Sequence, residues 1–330
     1  MFAHDDIYPT RGIQERLTER KDPILYGWDY SPKKLTETQL VHYERHGFVA
    51  IPAIFSTLEV ACFNDAINRI AKRKREKGAY WKEKIPPGES ESLFFTDQAG
   101  MIFQDLVRER RILDGVMQIL GGPVYLHRSR IHVENGEEGS SYPWHSAFES
   151  WHAEDGIPRM RGVEAWIMLN ESSPAAGSLR VLSKSHQIYA ATRNESSVYD
   201  DGQSIWEFGR LSLETLERLL QFGELTDVYG SAGTLVICDC NLLYGSAKGL
   251  ELQRRATAMF SYNSMENLPA EQPFAAEDFR PEPIVCRGVV PLQPKAFNFA
   301  RWNYDAGGSM KVSGKRTRVM SSQPRDRLTA

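Results

Sequence analysis

The apolar positions of this chain fall into two regimes. Up to about residue 122 they come in stretches bounded by helix signals. "LTETQLVHYERHG" opens on Thr36 with Gln39 three residues on, a capping box, and closes on Gly47, which predicts a helix. "FVAIPAIF" then reads as a short strand. Ser56 and Glu59 form a second capping box ahead of the helix "TLEVACFNDAINRIAKRKREKG". The basic last turn of that helix complements its dipole and needs no functional explanation. "SLFFTDQAGMIFQDLVRERRILDGVMQILGG" reads as helical up to its Gly-Gly stop.

From Pro123 the rhythm changes to short β-rich runs separated by polar turns: "VYLHRSRIHV", "GVEAWIMLN", "SLRVLSKSH", "GTLVICDC" and "ATAMFSYN". Several short strands in one unit predict a mainly β, α+β domain, a barrel or jelly roll with the early helices packed outside it. Residues 187–225 interrupt the strands with a loop and one helix. The domain is expected to span residues 1–290. Residues 291–330, with eight basic and two acidic side chains, read as a basic, partly flexible tail.

Composition narrows the classes. Of the 330 residues 41% are hydrophobic and 25% charged, an ordinary globular balance with room for a sizeable core. A net charge of −3 argues against a general nucleic-acid or membrane-surface binder. No apolar run approaches the length of a membrane span. The first residues carry early acids and no apolar core, so they read as neither secretory signal nor transit peptide. Cys62, Cys238, Cys240 and Cys286 are few and scattered. Buried strand thiols in a reducing cytoplasm are the expectation, with the Cys-x-Cys at 238–240 a weak metal hint.

The chemistry concentrates in "YPWHSAFESWHAEDGIPRMRG", residues 142–162. This stretch resembles the ectoine hydroxylase signature W-H-S-D-F-E-T-W-H-x-E-D-G-x-P-R-M-R, from the phytanoyl-CoA dioxygenase group of Fe(II)/2-oxoglutarate oxygenases. "DIYPTR", "KDPILYG", "QILGGPVYLHRSRI", "DCNLLYGS" and "FSYNSMENL" extend the likeness in the same order over roughly nine-tenths of the chain. The resemblance implies a double-stranded β-helix (a jelly roll) with flanking helices. It also implies metal-ligand positions at His145, at Ala147 where a carboxylate is expected, and at Tyr244 where a second histidine is expected. Arg255 matches the arginine that clamps 2-oxoglutarate, and Ala256 stands where a serine often follows it. Arg128 and His132 stand where the resemblance expects a glutamine and an asparagine. Fe(II) and 2-oxoglutarate are the cofactors the family implies.

With an imidazole, a methyl and a phenol at the three ligand positions, no cofactor is expected to be held. Strand periodicity puts Arg128, Arg130 and His132 on one face, and with Arg255 they form a cationic cluster suited to an anionic small molecule. Glu134, Glu149 and Glu164 are available as structural ion-pair partners for them. The expectation is a metal-independent, non-redox enzyme of specialised biosynthesis, catalysing elimination or intramolecular cyclisation. In it Arg128, Arg130 and Arg255 stabilise charge and His132 or His145 acts as base. Tyr244 moves a proton, Glu149 orients a histidine, and Trp144, Phe148 and Trp151 line the opening or pack in the core. Two alternatives stay open: a binding or partner protein without catalysis, and an iron/2-oxoglutarate hydroxylase or halogenase with a His145/Tyr244 site. The expected partners are the anionic substrate and a second copy or another protein chain. His127, His152 and His186 are expected to be structural.

Overall fold

The computed structural model describes residues 6–31, 33–77, 82–85, 90–94, 96–99, 101–134, 144–172, 179–193, 211–246, 255–280, 285–286 and 288–298. The chain divides into a unit of Met1–Phe297 and a second of Asn298–Ala330, and every element below belongs to the first. In chain order the described strands are β1 (Arg16–Glu19), β2 (Phe48–Ile51), β3 (Lys82–Ile85), β4 (Ser90–Phe94), β5 (Val124–Glu134), β6 (Gly162–Met168), β7 (Leu179–Leu182), β8 (Ile188–Ala191), β9 (Leu225–Val228), β10 (Leu235–Asp239), β11 (Tyr244–Ser246) and β12 (Arg255–Ser264). The helices are α1 (Glu37–His46), α2 (Thr57–Lys77), α3 (Thr96–Ala99), α4 (Met101–Leu106), α5 (Arg110–Leu120), α6 (Ala147–Asp155) and α7 (Leu213–Leu220).

The strands form a double-stranded β-helix, as the sequence predicts. Its large sheet runs β2-β10-β6-β12-β5-β4-β3, its smaller one β11-β7-β9, and β1 pairs with β8. The core strands are covered on both faces, and all seven residues of β6 are buried. On one face of this sheet lie Val163, Ala165 and Ile167 of β6 with Ala258 and Phe260 of β12. Helix α5 packs against these strands and buries Ile112, Leu113, Val116 and Ile119. The opposite parity, Glu164, Trp166 and Met168, faces the smaller sheet.

Both predicted capping boxes form. Thr36 accepts the Gln39 N–H and Gln39 accepts the Thr36 N–H, while Ser56 and Glu59 do the same ahead of α2. Gly47 ends α1 at φ 82°, and a Cβ there would meet His186 Nδ1 at 2.5 Å, so conformation and space both call for glycine. The stretch read as one long helix from Ser92 is corrected. Ser90–Phe94 forms β4 beside β5, and helix follows only in three pieces, α3 to α5. Pairing with β5 outweighs local propensity there. The predicted domain boundary moves as well. Leu292 N–H donates to Val124 O at 2.8 Å, Lys295 N–H to Arg108 O at 2.8 Å, and Phe297 N–H to the Glu109 carboxylate that caps α5. The Phe297 ring stands edge-on to Phe63. Residues 291–297 are therefore docked, and the remainder of the expected tail, 299–330, lies outside the described residues.

A buried ion network ties α6 to both ends of the unit. Arg280 donates to Asp155 and pairs with Glu154 at 3.2 Å; Arg11 pairs with Glu154 and, at 3.3 Å, with Glu149. His127 Nε2 meets Asp155 at 3.0 Å. Against the upward pull of burial, Arg280 and His127 hold the Asp155 carboxyl below its usual range, whereas burial lifts that of Glu154.

Two outcomes follow. A chain ending at residue 290 loses roughly 2–4 kcal/mol of stability relative to one ending at 297, measured by urea unfolding, because it sheds a buried leucine and the α5 cap contact. Asp155→Asn takes one of two carboxylates away from the buried Arg280, which keeps Glu154 at 3.2 Å, and costs roughly 1.5–3 kcal/mol. Because the folded-state value of Asp155 is depressed, its contribution is complete above about pH 4 and is lost as pH falls through that lower value. An acid-unfolding series comparing Asp155→Asn with the parent chain reads this directly.

Candidate functional site

Register sets the inner face of the large sheet in rows. Arg130 of β5 pairs with Met259 of β12, Met259 with Trp166 of β6, and Trp166 with Val236 of β10. One row along, His132 pairs with Thr257 and Thr257 with Met168. One row the other way, Arg128 pairs with Ser261, Ser261 with Glu164, and Glu164 with Cys238. The Arg130 and His132 rows thus carry a cationic or imidazole side chain on β5 and turn apolar toward β6, whereas the Arg128 row keeps a buried carboxylate, Glu164, on β6. Leu179, Val228, Tyr244 and Gly245 of the smaller sheet line the same cleft.

Of the candidate site residues, Arg130, His132 and Tyr244 line this cleft. His132 Nδ1 lies 3.0 Å from Ser92 Oγ, a neighbour hidden from sequence reading because β4 looked helical. Arg128 lies one row beyond Arg130, with one guanidinium nitrogen 3.5 Å from Glu164, whose carboxylate also accepts from Ser261 Oγ. Among the described residues, Arg128 Nε, the second oxygen of Glu164 and Trp166 Nε1 have no hydrogen-bond partner. Burial, then the nearby Arg130 and Arg280 guanidinium groups, pull the Arg128 pKa below the usual arginine value. Arg255 opposes Glu134 in the β12–β5 register, and its side chain lies outside what is described.

His145 and Tyr244 are brought together by a backbone bridge. The Tyr244 N–H donates to His145 O at 3.0 Å and the His145 N–H donates to Tyr244 O at 3.2 Å. Their rings sit 4.4 Å apart, and the Trp166 ring stands 4.9 Å from Tyr244. Ala147 is the first residue of α6, whose N-cap Ser146 accepts the Glu149 N–H. Among the described residues Glu149 makes no hydrogen bond to a histidine. Its Oε1 accepts from Thr10 and Thr192 hydroxyls and from Arg11, so it anchors the N-terminal segment.

The three candidate aromatics do not line the cleft. Phe148 is fully buried against Tyr8 and Tyr189, and Trp151 packs on His127. Trp144 packs on the small cluster of Leu182, Ala190, Leu219 and Leu243. On α6 the inward helical face points Phe148 and Trp151 into the core. The cleft takes its aromatic surface from Trp166, together with Met168 and Met259, which sequence reading missed; the signal was the strict alternation in "GVEAWIM" and "ATAMFSY". His127, His152 and His186 are structural hydrogen-bonders to Asp155, to Asp6 and Ile157 O, and to Glu44 O.

Residues 43–256 match the family described as Phytanoyl-CoA dioxygenase (PhyH). Ectoine dioxygenase of Streptomyces avermitilis is 34% identical over 301 residues, covering 89% of this chain and 100% of that protein. Ectoine dioxygenase of Halomonas elongata is 34% identical over 283 residues, 84% of each chain. The crystal structure of EctD from S. alaskensis with bound Fe matches with a TM-score of 0.77 at 29% identity, covering 89% of this chain and 99% of that one. Another EctD crystal structure, also at 0.77 with 28% identity and the same coverage, holds 2-oxoglutarate and 5-hydroxyectoine.

These findings overturn two expectations. A metal-independent elimination or cyclisation finds no counterpart in relatives named dioxygenases, and the expectation of no cofactor gives way to iron and 2-oxoglutarate, which the similar structures hold. The donor chemistry of this chain then has to be tested against iron. Positions 145, 147 and 244 offer an imidazole, a methyl and a phenol, and among the described residues no three His, Cys, Asp or Glu side chains converge. Those three side chains are not by themselves a two-histidine, one-carboxylate set. The barrel is a different matter: fold, order of motifs and 34% identity agree along its length, and the chain belongs to the phytanoyl-CoA dioxygenase family.

Proposed function

We propose that this chain is an enzyme of the iron/2-oxoglutarate oxygenase type that modifies a small carboxylate-bearing molecule in the cleft between the two sheets. The observation that carries this reading is the cleft itself. In a barrel 34% identical to ectoine dioxygenase, Arg130, His132 and Tyr244 line one cleft. Iron would supply oxygen activation in this class, although the imidazole, methyl and phenol at 145, 147 and 244 do not make a three-ligand site for it.

The chain's own residues have definable tasks. Arg130, buried and positively charged, holds a carboxylate with charge-assisted hydrogen bonds. His132, positioned by Ser92, offers a second polar contact beside it. Trp166 and the Tyr244 ring wall the space and exclude water. A second reading, a binding protein without turnover, is favoured by one specific observation: the methyl at 147 and the phenol at 244.

One experiment decides between them. The full chain is loaded anaerobically with Fe(II), offered 2-oxoglutarate with and without ectoine, and exposed to oxygen. Bound metal and succinate are quantified. The oxygenase reading expects iron uptake near one equivalent and succinate formation that needs both iron and oxygen. Sub-stoichiometric iron with no succinate above a metal-free control rejects it and leaves the binding protein. If turnover occurs, Arg130→Gln is expected to raise the KM of a carboxylate reactant by about 10- to 100-fold, the worth of one charge-assisted contact.

A further inference from the structure

We infer that the natural ligand of the cleft is an amphiphilic carboxylate: an anionic head over β5 and an apolar body lying across β12, β6 and β10. This deepens the reading of the cleft as the substrate site and rests on it. The row Arg130, Met259, Trp166, Val236 crosses four adjacent strands and changes from cation to aliphatic side chain in that order. The neighbouring row repeats the trend, from His132 through Thr257 to Met168. Strands lie about 4.8 Å apart, so three spacings give a track of roughly 14 Å.

The opposite wall agrees. Leu179 and Val228, from two strands of the smaller sheet, add apolar lining to the same cleft. Methionine thioethers on β6 and β12 adapt to alkyl chains and make favourable contacts with aromatic rings. At the rim, Glu171 follows β6 and is exposed, which disfavours a carboxylate at that side and directs the head toward β5. A solute polar all round would leave Met168, Met259, Leu179 and Val228 facing polar groups without hydrogen-bond partners.

Calorimetric titration of the full chain with butyrate, decanoate, 4-phenylbutyrate and succinate tests this. Decanoate or 4-phenylbutyrate is expected to bind at least about tenfold more tightly than butyrate or succinate, and the stronger of the two distinguishes an alkyl from an aryl body. Arg130→Gln should weaken the better probe about tenfold, and Met259→Gln should remove the preference for a long body over butyrate. Leu179→Gln, from the opposite sheet, replaces Met259→Gln if circular dichroism shows that variant misfolded. Equal affinities across the series overturn the proposal. So does tight binding of decanoate that ignores Arg130→Gln, since that is unspecific apolar adsorption. Equal affinities alongside iron-dependent succinate formation would leave the oxygenase reading standing. Amphiphile binding without succinate formation would do the reverse.

Discussion

Burial of the central strands on both faces is the constraint on which the rest depends. With α5 packed on one side and the smaller sheet on the other, each residue of β5, β6 and β12 is committed to one side by parity. A one-residue slip in β6 would send Trp166 and Met168 toward α5 and bring Ala165 and Ile167 into the cleft. The site is thus built by the same alternation that builds the core. Of its cations, Arg128 is offset by the Glu164 carboxylate at 3.5 Å, while Ile131 on the other parity is buried on the helix side.

Helix α6 is the second fixed point, and it is held by charge rather than by apolar surface alone. Asp155, Glu154 and Glu149 on this one short helix meet Arg280 from the chain's far end and Arg11 from its beginning. Such a network gives little net stability over a well-packed apolar alternative, yet it leaves few other positions for the helix. Ser146 and Ala147 open that helix, and the bridge between His145 and Tyr244 comes just before it, so the geometry near the cleft inherits this rigidity.

The family likeness and the donor chemistry pull in different directions. Identity of 34% along the barrel and a TM-score of 0.77 reflect the core, where many side chains cooperate. A metal site depends on three atoms, and its chemistry can change without moving a strand. Arg128, its pKa drawn below the usual arginine value by burial and set 3.5 Å from Glu164, is a buried cation with an incompletely satisfied neighbourhood.

Local signals were legible wherever chemistry between near neighbours decides structure. Thr36 with Gln39, Ser56 with Glu59 and Gly47 announced helix ends because caps involve residues a few positions apart. Alternation in residues 124–133 put Arg128, Arg130 and His132 on one face, and the ordered motifs identified the barrel. Long-range pairing was not legible. Ser90–Phe94 became a strand because β5 offered an unpaired edge, and Phe148 and Trp151 went to the core because α6 turns that face inward. Glu149, carried by a motif and assigned to catalysis, was claimed by Thr10, Arg11 and Thr192, residues some 40 to 140 positions away. Spacing along a chain reports which side chains share a face, while the partner across that face depends on packing that distant segments supply.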